Sequence, residues 1–100
     1  MTNLESALES LRGEMPHLRS LGIVEVDVFG SVARGEEQPD SDLDILIDLA
    51  PDHRLSLLRL VELEAELSGK IGRKVELVIG RNLKPGLRAN IERDLVHVSS

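Results

Sequence analysis

Asp42 and Asp44 stand at the head of an apolar run, Asp42-Leu43-Asp44-Ile45-Leu46-Ile47. Alternate side chains of a strand share a face. The two carboxylates therefore project together, about 6.6 Å apart along the chain, while Leu43 and Ile45 enter the opposite face. Such a pair can share divalent ions lying about 3.5–4 Å apart. Like charges at that spacing repel, and a bound cation relieves the repulsion. Oxygen donors alone, with no Cys or His in the motif, favour Mg²⁺ (two ions, with Mn²⁺ as a substitute) over zinc. Glu76 lies in a third apolar run, Val75-Glu76-Leu77-Val78-Ile79. An acidic side chain in a buried strand calls for a partner or a metal. Glu76 is thus the natural third ligand, or the base that takes the proton of an attacking hydroxyl.

Upstream of the carboxylates, Gly30-Ser31 closes another apolar run, and ten residues separate it from Asp42. Gly30 lets the backbone approach a phosphate closely. Ser31 adds a hydroxyl and, if a helical turn starts there, the N–H groups of a helix N-terminus. Arg34 is placed to neutralise phosphate oxygens, and Ser41 joins these three as an expected nucleotide contact. Singly, each feature is commonplace. A Gly-Ser often just ends a strand, an Asp-x-Asp often just starts one, and an acidic strand residue often faces water. Their order and spacing, each tied to a strand, point to a metal-and-triphosphate site.

The elements that must carry these residues are legible from periodicity. Thr2 to Glu5 has the form of a capping box. Leu4, Ala7, Leu8 and Leu11 then form the apolar stripe of a helix, which Gly13 and Pro16 are expected to close. Ile23 to Phe29 is a β-branched strand, residues 31–40 a loop with room for one helical turn after Ser31, and Asp42 to Leu49 a second strand. Residues 53–68 read as a helix. Its Leu57, Leu58, Leu60, Val61, Leu63 and Leu67 cover an arc wider than the ordinary apolar stripe. That arc is expected to be buried against sheet and helix, or to meet another chain. A third strand follows at residues 74–79, a helix at 82–94 with Pro85 in its first turn, and a short edge strand at 95–98. The link of about a dozen residues between the first two strands is short for a parallel crossover. The fold class is therefore α/β (α+β), a small mixed β-sheet flanked by helices.

One hundred residues make one domain, 1–100, with no linker inside it. Apolar residues are 41% and charged residues 30% of the chain, and Phe29 is the only aromatic, so the core must be aliphatic. Without cysteine there is no disulfide framework, thiolate metal site or cysteine nucleophile. No apolar run approaches a membrane span and no secretory signal opens the chain, so the expected location is the cytoplasm. A net charge of −6, with scattered basic residues and neither Tyr nor Trp, argues against direct nucleic-acid binding. His17, His53 and His97 have no ligand spacing and read as incidental. Glu36, Glu37 and Asp40 read as a solvated loop, with Pro39-Asp40-Ser41 shaping the turn into the second strand.

The stretch Phe29-Gly30-Ser31, followed by Ala33-Arg34-Gly35 and by Pro39-Asp40-Ser41-Asp42-Leu43-Asp44, resembles the signature of the polymerase-beta-like nucleotidyltransferases. Within them it resembles the minimal, MntA-type antitoxins. The resemblance runs from Val26 through the third strand to the closing Pro-x-Leu-Arg and Asp-Leu-Val-His-Val segments. It implies a nucleotidyltransferase core without an accessory domain. It also implies a partner, a HEPN ribonuclease toxin, and transfer of AMP from ATP to a tyrosine of that toxin. On this pattern Gly30 and Ser31 hold the triphosphate, Asp42 and Asp44 bind two Mg²⁺, and the third carboxylate falls on Glu76, where Asp is more usual. The extra methylene moves that carboxylate outward, and in-line transfer is sensitive to shifts of about 1 Å. This chain has no Tyr, so a tyrosine acceptor must belong to another protein. Two other functions fit the sequence: an antitoxin that masks its toxin without chemistry, and a nucleotidyltransferase of small molecules.

Overall fold

The computed structural model describes residues 3–36 and 41–98, and of Asn82 the backbone alone. Helix α1 (Leu4–Ser20) leads into strand β1 (Ile23–Phe29) and the short helix α2 (Gly30–Arg34). Strand β2 (Leu43–Leu49), helix α3 (Leu57–Ile71) and strand β3 (Val75–Ile79) follow. A 3-10 turn (Gly80–Asn82), helix α4 (Pro85–Glu92) and the two-residue strand β4 (Val96–His97) complete the order.

The four strands form one mixed sheet in the order β3-β2-β1-β4. β1 runs antiparallel to β2 and to β4, and β2 runs parallel to β3. Ile23, Val26, Val28, Leu43, Ile45, Ile47, Leu49 and Val75 are buried in one apolar cluster with Ala7, Leu11, Met15 and Leu18 of α1 and Leu63, Leu67 and Ile71 of α3. The opposite face of β2 carries Asp44 and Asp48, both half-buried, on either side of buried Leu46. One face of the sheet is thus the core, and the other presents carboxylates.

α1 begins at an Asn3 cap, whose side chain accepts from the Ser6 N–H at 2.9 Å while Ser6 Oγ accepts from the Asn3 N–H at 3.1 Å. Thr2 of the expected capping box lies outside the described residues. The helix runs through Gly13 and Pro16 to Ser20, correcting the early stop. The buried stripe Ala7, Leu11, Met15, Leu18 continues past the proline, and Pro16 is exposed, so water can take the carbonyl its ring leaves unbonded. α3 starts later than expected because Ser56 caps it, its Oγ accepting from the Arg59 N–H at 3.1 Å. It passes Gly69 and ends where Gly72 adopts φ +82°. The expected burial of its whole apolar arc does not occur. Leu63 and Leu67 are buried, but Leu57, Leu58 and Val61 are exposed.

β3 is an edge strand, yet two of its N–H groups are used. Val75 donates to Ser68 Oγ and Leu77 to Glu64 Oε2, both at 2.8 Å. Both acceptors stand on α3, so helix side chains cover this part of the edge. No helix among the described residues is long and apolar enough to cross a membrane.

Candidate active site

The acidic face converges where β1 ends and β2 and β3 begin. Asp44 stands opposite Phe29 on β1 and opposite Glu76 on β3. The row Phe29, Asp44, Glu76 therefore crosses three strands on one face. Asp42 precedes β2 and shares the face of Asp44 by alternation. Burial pushes the Asp44 carboxyl above the usual carboxylate range, the charges of Glu76 and then Asp42 push it the same way, and the Arg34 guanidinium opposes them. Glu76, Asp42 and Arg34 thus all act on the charge of Asp44.

Gly30 adopts φ +78°, and a Cβ there would collide with Asp44 Oδ2. Only glycine lets the chain turn from β1 into α2 this close to the carboxylate. α2 starts with no side chain capping its first turn and closes at Gly35, φ +72°. The turn expected after Ser31 therefore exists and begins one residue earlier. Arg34, at its end, is exposed. Its Nε donates to Glu36 Oε2 at 3.0 Å and its Nη1 to Asp94 Oδ2 at 3.1 Å. Ser41 is half-buried, and its carbonyl accepts from Arg73 Nη1 at 2.7 Å. Glu37, Pro39 and Asp40, expected to be a solvated loop and turn, lie outside the described residues.

Glu76 departs from expectation in one respect. It is exposed, because β3 forms the edge of the sheet and its outer face meets water. Among the described residues no group of three or more His, Cys, Asp or Glu side chains is already gathered as a metal cage. Two hollows, of about 500 and 480 Å³, are lined by other residues, one at the α1–β1 turn and one between α3 and β3. The carboxylates instead occupy an open face.

Asp27 and Asp48 of this face escaped the sequence reading, and Asp27 has a defined partner. Asp27 is buried, and its Oδ1 is hydrogen-bonded to His97 Nδ1 at 2.9 Å. Its signal was alternation, since Asp27 and Phe29 share the non-core face of β1. His97 thus adds a side-chain bond to the backbone pairing of β4 with β1 rather than being incidental.

The sequence matches the profile of the nucleotidyltransferase domain over residues 8–98. The chain belongs to this family. A protein adenylyltransferase MntA of Thermococcus cleftensis is 39% identical over 99 residues, covering 98% of each chain. A solved structure described as a candidate minimal nucleotidyltransferase is 37% identical with a TM-score of 0.78, covering 96% of each chain. These two similarities place the chain in the minimal, MntA-type branch of the nucleotidyltransferases. The fold also matches, at a TM-score of 0.65 and 18% identity, the structure of a tri-AMPylated Shewanella oneidensis HEPN toxin in complex with an MNT antitoxin. That match covers 93% of this chain and 72% of the other.

Proposed function

We propose that residues 1–100 act as a single minimal nucleotidyltransferase domain that moves AMP from ATP to a hydroxyl, that of a tyrosine, on a HEPN-type ribonuclease toxin in the cytoplasm. The modified toxin is silenced, which makes this chain its antitoxin. The observation that carries the reading is the row of Asp44 and Glu76 on one open face, with Asp42 and Gly30-Ser31 at its margin. The MntA relative's name and the AMPylated HEPN toxin of the structural neighbour support the direction of transfer.

The residues fit Mg²⁺ on a property of the chain itself. Asp44 carries a carboxyl raised by burial and by two neighbouring negative charges, a cluster that a cation would relieve. Mg²⁺ takes one or two carboxylates together with substrate phosphates, so Asp42 and Asp44 suit ions that arrive with the nucleotide. Asp42 and Asp44 would hold two such ions, with Glu76 as the third ligand. When bound, they supply charge neutralisation and polarisation at the α-phosphate.

The chain's own residues then have distinct tasks. The backbone of Gly30 and Ser31 holds the triphosphate against β1. Arg34 and Ser41 contribute further contacts to it, Arg34 exchanging its exposed carboxylate partners for phosphate oxygens. Glu76, on the other side of Asp44, accepts the proton of the acceptor hydroxyl. The freed oxygen bonds to the α-phosphorus as the bond to the departing pyrophosphate breaks. An acceptor carried by a protein suits a face that is open rather than a closed pocket, which weighs against a small-molecule acceptor.

A second reading, neutralisation by masking alone, draws on the exposed Leu57, Leu58 and Val61 of α3. One experiment separates the two. The HEPN partner is incubated with this protein, ATP and Mg²⁺, beside an Asp44→Asn control, and its intact mass is measured. Added AMP units that vanish in the control support transfer. An unchanged mass with a stable complex overturns it in favour of masking.

A further inference from the structure

We propose that Arg73 is a positioning residue for Asp42, acting through the carbonyl of Ser41. Arg73 lies in the link between α3 and β3 and is only 8% exposed. A guanidinium is buried at high cost unless its donors are used. Here Nη1 donates to the Ser41 carbonyl at 2.7 Å, one residue before Asp42. One residue after Asp42, the Leu43 N–H donates to the Lys74 carbonyl, also at 2.7 Å. Asp42 is thus bracketed by two bonds, both to the segment that immediately follows Arg73 or to Arg73 itself.

The bracket matters because Asp42 lies just outside the sheet. β2 begins at Leu43, and its pairing with β3 begins with Leu43 opposite Val75. A residue beyond the last rung of a ladder is free to fray. The buried guanidinium extends the fixed backbone past Asp42 and holds the Asp42 carboxylate at a set distance from that of Asp44. Arginine suits the task because its planar fork stays protonated at any working pH. This inference rests on the reading that Asp42 binds a divalent cation with the nucleotide.

The test uses Arg73→Met and Arg73→Lys, with Arg12→Met on the exposed side of α1 as control. Mn²⁺ affinity is measured by electron paramagnetic resonance in the presence of a non-hydrolysable ATP analogue. kcat and KM for ATP are measured at fixed metal, and the fold is checked by circular dichroism and thermal midpoint. Arg73→Met is expected to weaken Mn²⁺ binding by roughly 10–100-fold, the range seen when a group that orients a metal ligand is removed. kcat should fall in parallel, recover in part as Mn²⁺ is raised, and leave KM for ATP little changed. Arg73→Lys keeps one donor and should lose only a few-fold, which carries the test if Arg73→Met does not fold. Either folded variant binding Mn²⁺ and turning over like the wild type overturns the proposal. A wild type that binds no Mn²⁺ with nucleotide and transfers nothing overturns instead the function on which the inference rests.

Discussion

Asp44 and Glu76 stand directly opposite each other across the parallel β2–β3 pair. Of the two charges that push the Asp44 carboxyl upward, that of Glu76 is the larger. An exposed side chain at a sheet edge is thereby coupled to a half-buried one in the next strand.

The Asp44 carboxyl, raised first by burial and then by Glu76 and Asp42, gives stability a defined pH dependence. The folded-state Asp44 binds its proton more tightly than the unfolded one. Well below the ordinary carboxylate range both states are protonated and Asp44 costs nothing. As pH rises through that range the unfolded chain ionises first, and stability falls until the folded Asp44 has ionised too. The difference in thermal midpoint between wild type and Asp44→Asn, followed upward from acid pH, should grow in favour of the variant over that window and then level off. A constant difference would contradict a carboxyl raised in the folded state.

Asp44→Asn itself should fold at least as well as the wild type at neutral pH, because it removes a half-buried charge that two neighbours repel. AMP transfer to the HEPN partner should fall by at least about 100-fold. Circular dichroism and an intact-mass time course on the same preparation check both halves.

Gly30→Ala should be costly in both respects. A left-handed φ costs a residue with a Cβ about 1–2 kcal/mol, and the added carbon meets Asp44 Oδ2. Urea denaturation should show a loss of that size or more, and transfer should fall because relief of the collision moves the carboxylate.

Glu76 separates stability from chemistry. Its exposure predicts a change within about 0.5 kcal/mol for Glu76→Gln, whereas loss of a base predicts a drop in kcat of roughly 10²–10⁴-fold. Glu76→Asp, which keeps a carboxylate on this face, should keep the transfer activity. A Glu76→Gln enzyme with wild-type kcat would remove Glu76 from the proposed mechanism.

Much of this arrangement was legible in the chain. Alternation in β2 put Leu43, Ile45, Ile47 and Leu49 on the core face and Asp44 on the other. The mixed sheet followed from the short link between Phe29 and Leu43. The residues that stayed hidden were set by contacts between distant segments. Pro16 reads as a stop until the buried Met15 and Leu18 on either side are seen. Glu76 reads as buried until β3 is found at the edge of the sheet. Arg73 has no local pattern, since its bond to Ser41 spans 32 residues. Asp27 carried the right period but not its partner, because His97 reaches it from 70 residues away.

The side chains of Glu64 and Ser68 that take up the N–H groups of Leu77 and Val75 have a consequence for how this protein can be approached. On the border strand carrying Glu76 these two main-chain donors are not open to an incoming strand, and the opposite border, β4, is two residues long. These two borders therefore favour recognition through the shape and charge of a folded surface over lengthening of the sheet. The same two occupied donors also hinder edge-to-edge pairing between copies of this chain.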